Sequence, residues 1–204
     1  MWLNIAVALL VGYLLGNLNG AVITSKLMHD DVRNHGSGNA GLTNFIRNFG
    51  TGRAFLVILI DAGKALLACL IGGLLMNAYG MWLEGATFGG AAVMLGHAFP
   101  AALGFRGGKG ILSGLFVAIF LDWRIALLIV AVFAAFYFAT RYVSLGSVVA
   151  SVTYALGFVV FHHDNLVVML CGVFMGLLAT FLHRQNIVRL IQGKERKTDL
   201  FKKK

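Results

Sequence analysis

The chain has 204 residues, 59% of them hydrophobic and only 12% charged, with a formal net charge of +9. That balance excludes a water-soluble globular domain and predicts an all-α, polytopic membrane bundle. A bilayer core needs about 20 apolar helical residues per crossing, so the length accommodates roughly six to eight crossings in one transmembrane domain over residues 1–204, with no separate soluble domain.

The first predicted span covers residues 2–25. Its first cation is Lys26 at the far end, so it does not read as a cleaved signal peptide. Gly12, Gly16 and Gly20 recur every four residues and predict close packing against another helix, while Asn17 and Asn19 require partners inside the bundle. Residues 26–52 form the longest polar stretch and contain GSGNAGLTNFIR, where Ser37, Asn39, Thr43, Asn44 and Arg47 crowd among Gly36, Gly38 and Gly41. Glycines let the backbone turn sharply and approach a ligand. Together with main-chain N–H groups, neutral donors and a guanidinium, they suit a phosphate or another compact oxyanion.

The second span, 54–79, holds Asp61 and Lys64, which share a helical face and neutralise one another. The third, 85–103, contains His97 and runs into GHAFPAALGFRGGKG, where Pro100 is expected to kink or end the helix. The fourth, 111–121, and the fifth, 125–140, are short and flank Asp122, Trp123 and Arg124, so a helical hairpin that does not fully cross is the alternative to two crossings. The sixth, 143–161, opens with RYVSLGS, which contributes Ser144 and Ser147. The seventh, 166–182, carries Gly172 and Gly176 as a second small-residue packing pair, and a basic tail follows from His183. Cys69 and Cys171 stand in apolar runs without metal-type spacing, which predicts buried thiols and neither a disulfide nor a metal site.

Seven crossings place every Lys and Arg except Arg124 on one side, counting Lys64 with the nearer loop. By the positive-inside rule that side is cytoplasmic, with the N-terminus outside and the C-terminus inside. The basic surplus thus reports topology and contact with anionic lipid headgroups; no nucleic-acid motif accompanies it. The same alternation brings GSGNAGLTNFIR, FRGGKG, RYVSLGS and HRQNIVRL to the cytoplasmic helix ends. Arg47, Lys64, Arg106, Lys109, Arg141 and Arg184 then surround backbone amides and hydroxyls in a surface suited to more than one phosphate.

Familiar chemistries are excluded one by one. GGKG is not a nucleotide P-loop, because Leu103 stands where its first glycine belongs and Gly110 where Ser or Thr belongs. There is no G-x-S-x-G elbow, no zinc spacing and no H-x-x-x-x-D pair. An organophosphate transporter or flippase is the rival, but transporters favour midplane sites and inverted repeats, and neither is visible.

The ordered motifs GSGNAGLTNFIR, D-x-x-K, GHAFPAALGFRGGKG, RYVSLGS and HRQNIVRLIQGKE resemble those of the bacterial acyl-phosphate:glycerol-3-phosphate acyltransferases, the PlsY family, over almost the whole chain. The resemblance implies a seven-helix inner-membrane enzyme that moves a fatty acyl group from acyl phosphate to glycerol 3-phosphate without metal or other cofactor and without an obligatory protein partner. It implies that Ser37, Arg47, Lys109 and Ser147 hold glycerol 3-phosphate, with Gly38, Asn39, Thr43, Asn44, Lys64, His97 and Ser144 among the substrate-binding residues. Gly107, Gly108 and Gly110 would cradle the acyl-phosphate headgroup, and Lys109, His183 and Asn186 would act in catalysis. The family's usual GSGNPGATN reads GSGNAGLTN here, and Ala65 follows D-x-x-K where glycine is common. No reactive group is lost by these changes.

Overall fold

A computed structural model describes residues 1–198. The Lys202, Lys203 and Lys204 counted in the charge asymmetry lie outside the described residues. The described chain is all-helical and divides into two compact units, residues 1–117 and residues 118 onward.

The first unit opens with α1 (Trp2–Gly16) and α2 (Gly20–Lys26). The continuous helix expected over 2–25 is therefore broken, and the asparagines are the reason. Asn19 adopts an extended backbone, and its side chain accepts from Val22 N at 3.0 Å, capping α2. Its amide nitrogen donates to Ala40 O at 3.0 Å, while Asn17 donates to Tyr13 O at 2.7 Å and accepts from Ala102 N at 3.0 Å. Both asparagines thus find the partners that burial demands.

The polar stretch that follows is more ordered than a loop. It contains a short 3₁₀ turn (Val32–Asn34) and a helix, α3 (Leu42–Phe49). Leu42, Phe45 and Phe49 pack with Ala21, Val22, Val32, Ala40 and Val57, so one face of α3 closes a hydrophobic cluster. Thr43 and Arg47, four residues apart, share a different face.

Next come α4 (Ala54–Asn77) and α5 (Trp82–Ala98). α5 begins three residues earlier than expected and ends two residues before Pro100, which starts a 3₁₀ turn (Ala101–Leu103). Small residues set the spacing of α1, α4 and α5. A Cβ on Gly12 would meet Gly89 O and Ala92 Cβ at 2.8 and 2.9 Å; one on Gly96 would strike Tyr13 O, and one on Gly89 would strike Ala68 O. Backbone lies against backbone here, as the glycine spacing in α1 predicts.

The chain passes into the second unit along α6 (Ile111–Leu121), an apolar helix only about 16 Å long. That unit contains α7 (Trp123–Thr140), α8 (Val143–Phe161), α9 (Leu166–Leu182) and α10 (Arg184–Ile191). Asp122 caps α7 through Arg124 N at 2.9 Å, pairs with the Arg124 guanidinium at 2.6 Å and meets His162 Nε2 at 3.1 Å. Gly172 accommodates Phe158, and Gly176 lies against Ser151 O and Ala155. The tail returns over the end of α7, with Thr198 N donating to Arg141 O at 3.0 Å and Tyr137 Oη to Thr198 O at 3.2 Å.

Five described helical segments are long and apolar enough to cross a membrane: Trp2–Lys26, Ala54–Asn77, Trp82–Leu103, Trp123–Thr140 and Val143–Phe161. α9 and α10 together, bent by 53°, would make a sixth. The protein is an integral membrane protein.

Gly89→Val places branched carbons against the Ala68 carbonyl, where no flexible side chain can yield. We expect a loss of about 1–3 kcal/mol, read as a lower thermal midpoint in detergent. Gly63→Ala, with nothing within 4 Å of the added carbon, should leave the midpoint unchanged or raised.

Candidate active site

In the first unit the GSGNAGLTN segment is folded around Asn44. Gly36 and Gly38 take left-handed φ of 59° and 68°, which bends the chain back over the start of α3. Asn44 Oδ1 accepts from Ser37 N at 3.1 Å, and its Nδ2 lies 3.1, 3.0 and 3.1 Å from the carbonyls of Val32, His35 and Asn39. The side chain is buried and spent on the loop itself. Ser37 is exposed beside it, while Asn39, Thr43 and Arg47 are half-buried. Asp31 and Arg33 brace the same stretch at 2.7 Å, and Arg33 also donates to Leu103 O at 3.1 Å. The hydrogen bond from Arg33 pulls the Asp31 carboxyl down to about 2.

The second element is a buried charged cluster. Lys64 Nζ donates to Asp61 Oδ1 at 2.7 Å, Leu18 O at 2.7 Å and His97 Nδ1 at 2.8 Å. Asp61 Oδ1 also accepts from Gly20 N at 3.1 Å. The Asp61–Lys64 pairing expected from sequence is present, with His97 and the freed Leu18 carbonyl added to it. The GGKG turn rests on this cluster. Gly108 N donates to His97 O at 3.0 Å, a side chain on Gly108 would strike the His97 ring, and its Cβ would fall 2.6 Å from Ala40 O. The turn and the GSGNAGL loop therefore abut, bringing Ala40 and Gly108 together, with half-buried Lys109 next in the chain and Gly110 at φ 77°. Arg106 lies on the exposed shoulder of the turn.

In the second unit Ser144 and Ser147 share a face of α8, both buried, and Ser147 Oγ donates to Val143 O at 2.9 Å. His183 stands at the α9–α10 bend, with Ala179 O 2.8 Å from Nδ1. A carbonyl only accepts, so Nδ1 carries a proton. Asn186 Nδ2 donates to Glu195 Oε1 at 2.9 Å, and Arg189 Nε to Glu195 Oε2 at 2.7 Å. Arg184 turns outward over the Phe181 ring. Glu195 has no role in the sequence-based reading. Its signal is that it is the one carboxylate of the HRQNIVRLIQGKE motif.

No group of three or more His, Cys, Asp or Glu side chains placed to hold a metal ion occurs among the described residues. Chemically, the first unit offers a cationic, amide-rich cup made by two adjoining turns. The second offers an imidazole, buried hydroxyls and an anchored amide. The apolar helices that carry both sets of groups are those of an integral membrane protein.

Residues 6–193 match the sequence model of the glycerol-3-phosphate acyltransferases, and the chain belongs to that family of integral membrane enzymes of phospholipid synthesis. It is 39% identical over 189 residues to the glycerol-3-phosphate acyltransferase of Thermoanaerobacter sp., covering 92% of each chain. With that of Mesorhizobium japonicum it shares 37% over 198 residues and 97% of each chain. It is also similar to the crystal structure of PlsY (YgiH), an integral membrane glycerol 3-phosphate acyltransferase, in its glycerol 3-phosphate form. The TM-score is 0.87 at 33% identity, over 97% of this chain and 99% of the other. The lysophosphatidic acid form of PlsY gives 0.84 at 32%, over 96% of each chain. A family of acyltransferases replaces the transporter alternative.

Burial raises the Glu195 pKa, but the hydrogen bonds from Arg189 and Asn186 outweigh it and hold the carboxyl below its ordinary value of 4.5. A carboxylate depressed in the fold stabilises above its unfolded pKa, and that contribution is lost as pH falls through the folded one. Glu195→Gln should therefore lower the thermal midpoint at pH 7. The gap from the parent protein should close as pH is lowered below about 4, measured as paired melting curves across pH.

Proposed function

We propose that this protein transfers a fatty acyl group from acyl phosphate to the sn-1 hydroxyl of glycerol 3-phosphate, giving lysophosphatidic acid and inorganic phosphate. The hydroxyl oxygen bonds to the acyl carbon, the bond from that carbon to the phosphate oxygen breaks, and the hydroxyl proton leaves with the phosphate. We place the reaction at the cytoplasmic face of a bacterial inner membrane, with seven crossings, the N-terminus outside and the C-terminus inside. The distribution of Lys and Arg supports that orientation.

The observation that carries this reading is the abutment of two glycine-rich turns, Ala40 against Gly108, with Lys109 within the second turn and Arg47 on the helix that the first begins. Acyl phosphate is an activated mixed anhydride and needs no covalent nucleophile. It needs positioning, neutralisation of two phosphates and support for an oxyanion. In the first unit we assign Ser37, Arg47 and Lys109 to the glycerol 3-phosphate headgroup, and Gly107, Gly108 and Gly110 to the acyl phosphate. Gly38, Asn39, Thr43 and Asn44 shape the loop that presents them. In the second unit we assign Ser147, with Ser144 beside it, to glycerol 3-phosphate, and His183 and Asn186 to the chemical step. A substrate phosphate oxygen takes the hydroxyl proton. His183, whose Nδ1 is held by the Ala179 carbonyl, is the competing acceptor.

Purified protein given acyl phosphate and glycerol 3-phosphate should release phosphate only when both are present, and acyl-CoA should not substitute as donor. Donor-independent turnover, or turnover with acyl-CoA alone, would exclude the proposed donor. Lys109→Ala removes a charge-assisted contact worth about 1.5–3 kcal/mol and should lower kcat/KM by roughly one to two decades. For His183→Gln, substrate-assisted transfer predicts a lower kcat with the pH profile unmoved, whereas loss of an acidic limb would make His183 the base.

A further inference from the structure

The buried cluster of Asp61, Lys64 and His97 sits beside the turn that presents Lys109, and its own chemistry is fully engaged. Lys64 is 4% exposed and His97 is 2% exposed. An ammonium has three protons to donate, and those of Lys64 have three partners within 2.8 Å: Asp61 Oδ1, Leu18 O and His97 Nδ1. Turning one toward a substrate phosphate would strand a buried acceptor. His97 is committed at both ends. Nδ1 accepts from Lys64, so the proton sits on Nε2, and the main-chain carbonyl accepts from Gly108 N at 3.0 Å.

We propose that Lys64 and His97 are positioning residues for the acyl transfer: they hold the GGKG turn, and through it Lys109, instead of touching substrate. The His97 ring stands where a Gly108 side chain would grow, and Ala40 O closes the other side of the same carbon. Gly107 is pressed in the same way against His97 O and the Pro100 ring. Lys64 fixes the ring in the one orientation and tautomer that allow this fit, and Asp61 anchors Lys64 while receiving Gly20 N. The assignment rests on the proposed binding role of Lys109, but the clamp itself is a property of the fold and is testable without substrate.

The experiment has two arms. In the first, hydrogen–deuterium exchange is followed over residues 104–112 of the full chain in detergent. Lys64→Met should speed exchange at this segment about tenfold while α7 and α8 stay unchanged. Unaltered exchange overturns the clamp. If Lys64→Met does not fold, because Asp61 is left unpaired, the double variant Asp61→Asn/Lys64→Met removes both charges and serves in its place.

The second arm is a cycle in kcat/KM for glycerol 3-phosphate. Lys64→Met should cost about tenfold when Lys109 is present and add almost nothing in a Lys109→Ala background, because both changes act through one side chain. Full additivity overturns the proposal and makes Lys64 a substrate ligand. His97→Asn, whose Oδ1 still accepts from Lys64, should retain several-fold more activity than His97→Leu; equal losses also overturn it. If Lys109→Ala alone is harmless, the binding role given to Lys109 has failed, and the exchange arm still decides whether the clamp exists.

Discussion

Three buried side chains, Asp61, Lys64 and His97, hold the first unit together at the point where helical packing gives way to function. Each buried ion carries a desolvation penalty of several kcal/mol that only close pairing and complete hydrogen bonding offset. Here the offset comes partly from backbone. The break after Gly16 frees the Leu18 carbonyl for Lys64 and the Gly20 amide for Asp61. A continuous first helix would have used both groups internally, so the helix break and the buried pair depend on one another.

The same cluster explains why two distant stretches of sequence become neighbours. Asn19, in the break, reaches Ala40 O, and His97 O takes the amide of Gly108. Loops rich in glycine are entropically costly to order. Asn44 from within and His97 from beneath supply the contacts that hold them, and the residues left uncommitted by this scaffolding, such as Ser37 on the exposed rim, face outward. Neutral amides and glycines therefore build the shape, and few cations are needed for charge.

The second unit uses different means. Glu195 ties Asn186 and Arg189 to the returning tail, and the Ala179 carbonyl holds His183 through Nδ1. A carboxylate three positions beyond the cap of α10 fixes the amide that the sequence motif singles out. The short α6 and the bent α9–α10 pair leave five described segments that meet a full membrane length, against the seven spans read from hydropathy. An apolar run marks a helix but does not fix whether that helix alone spans about 30 Å.

Composition and pattern alone determined the all-helical membrane class, the helix ends at Pro100 and His162, the Gly12, Gly16 and Gly20 packing face, the Asp61–Lys64 pair and the family. Each depends on local properties: apolar length, residue spacing or motif order. Tertiary structure decided what those local rules cannot reach. Asn19 breaks a run that hydropathy reads as continuous, because its cap and its bond to Ala40 outweigh helix propagation. Asn44 and Lys64, polar residues indistinguishable from ligands by spacing, have their hydrogen-bonding groups taken up inside the fold. Glu195 acquires a role only when the tail folds back on α10. Side-chain commitment is a three-dimensional property: a donor's partner lies 46 positions away for Lys64 and Leu18 and 70 for Arg33 and Leu103, and no short window along the chain contains both.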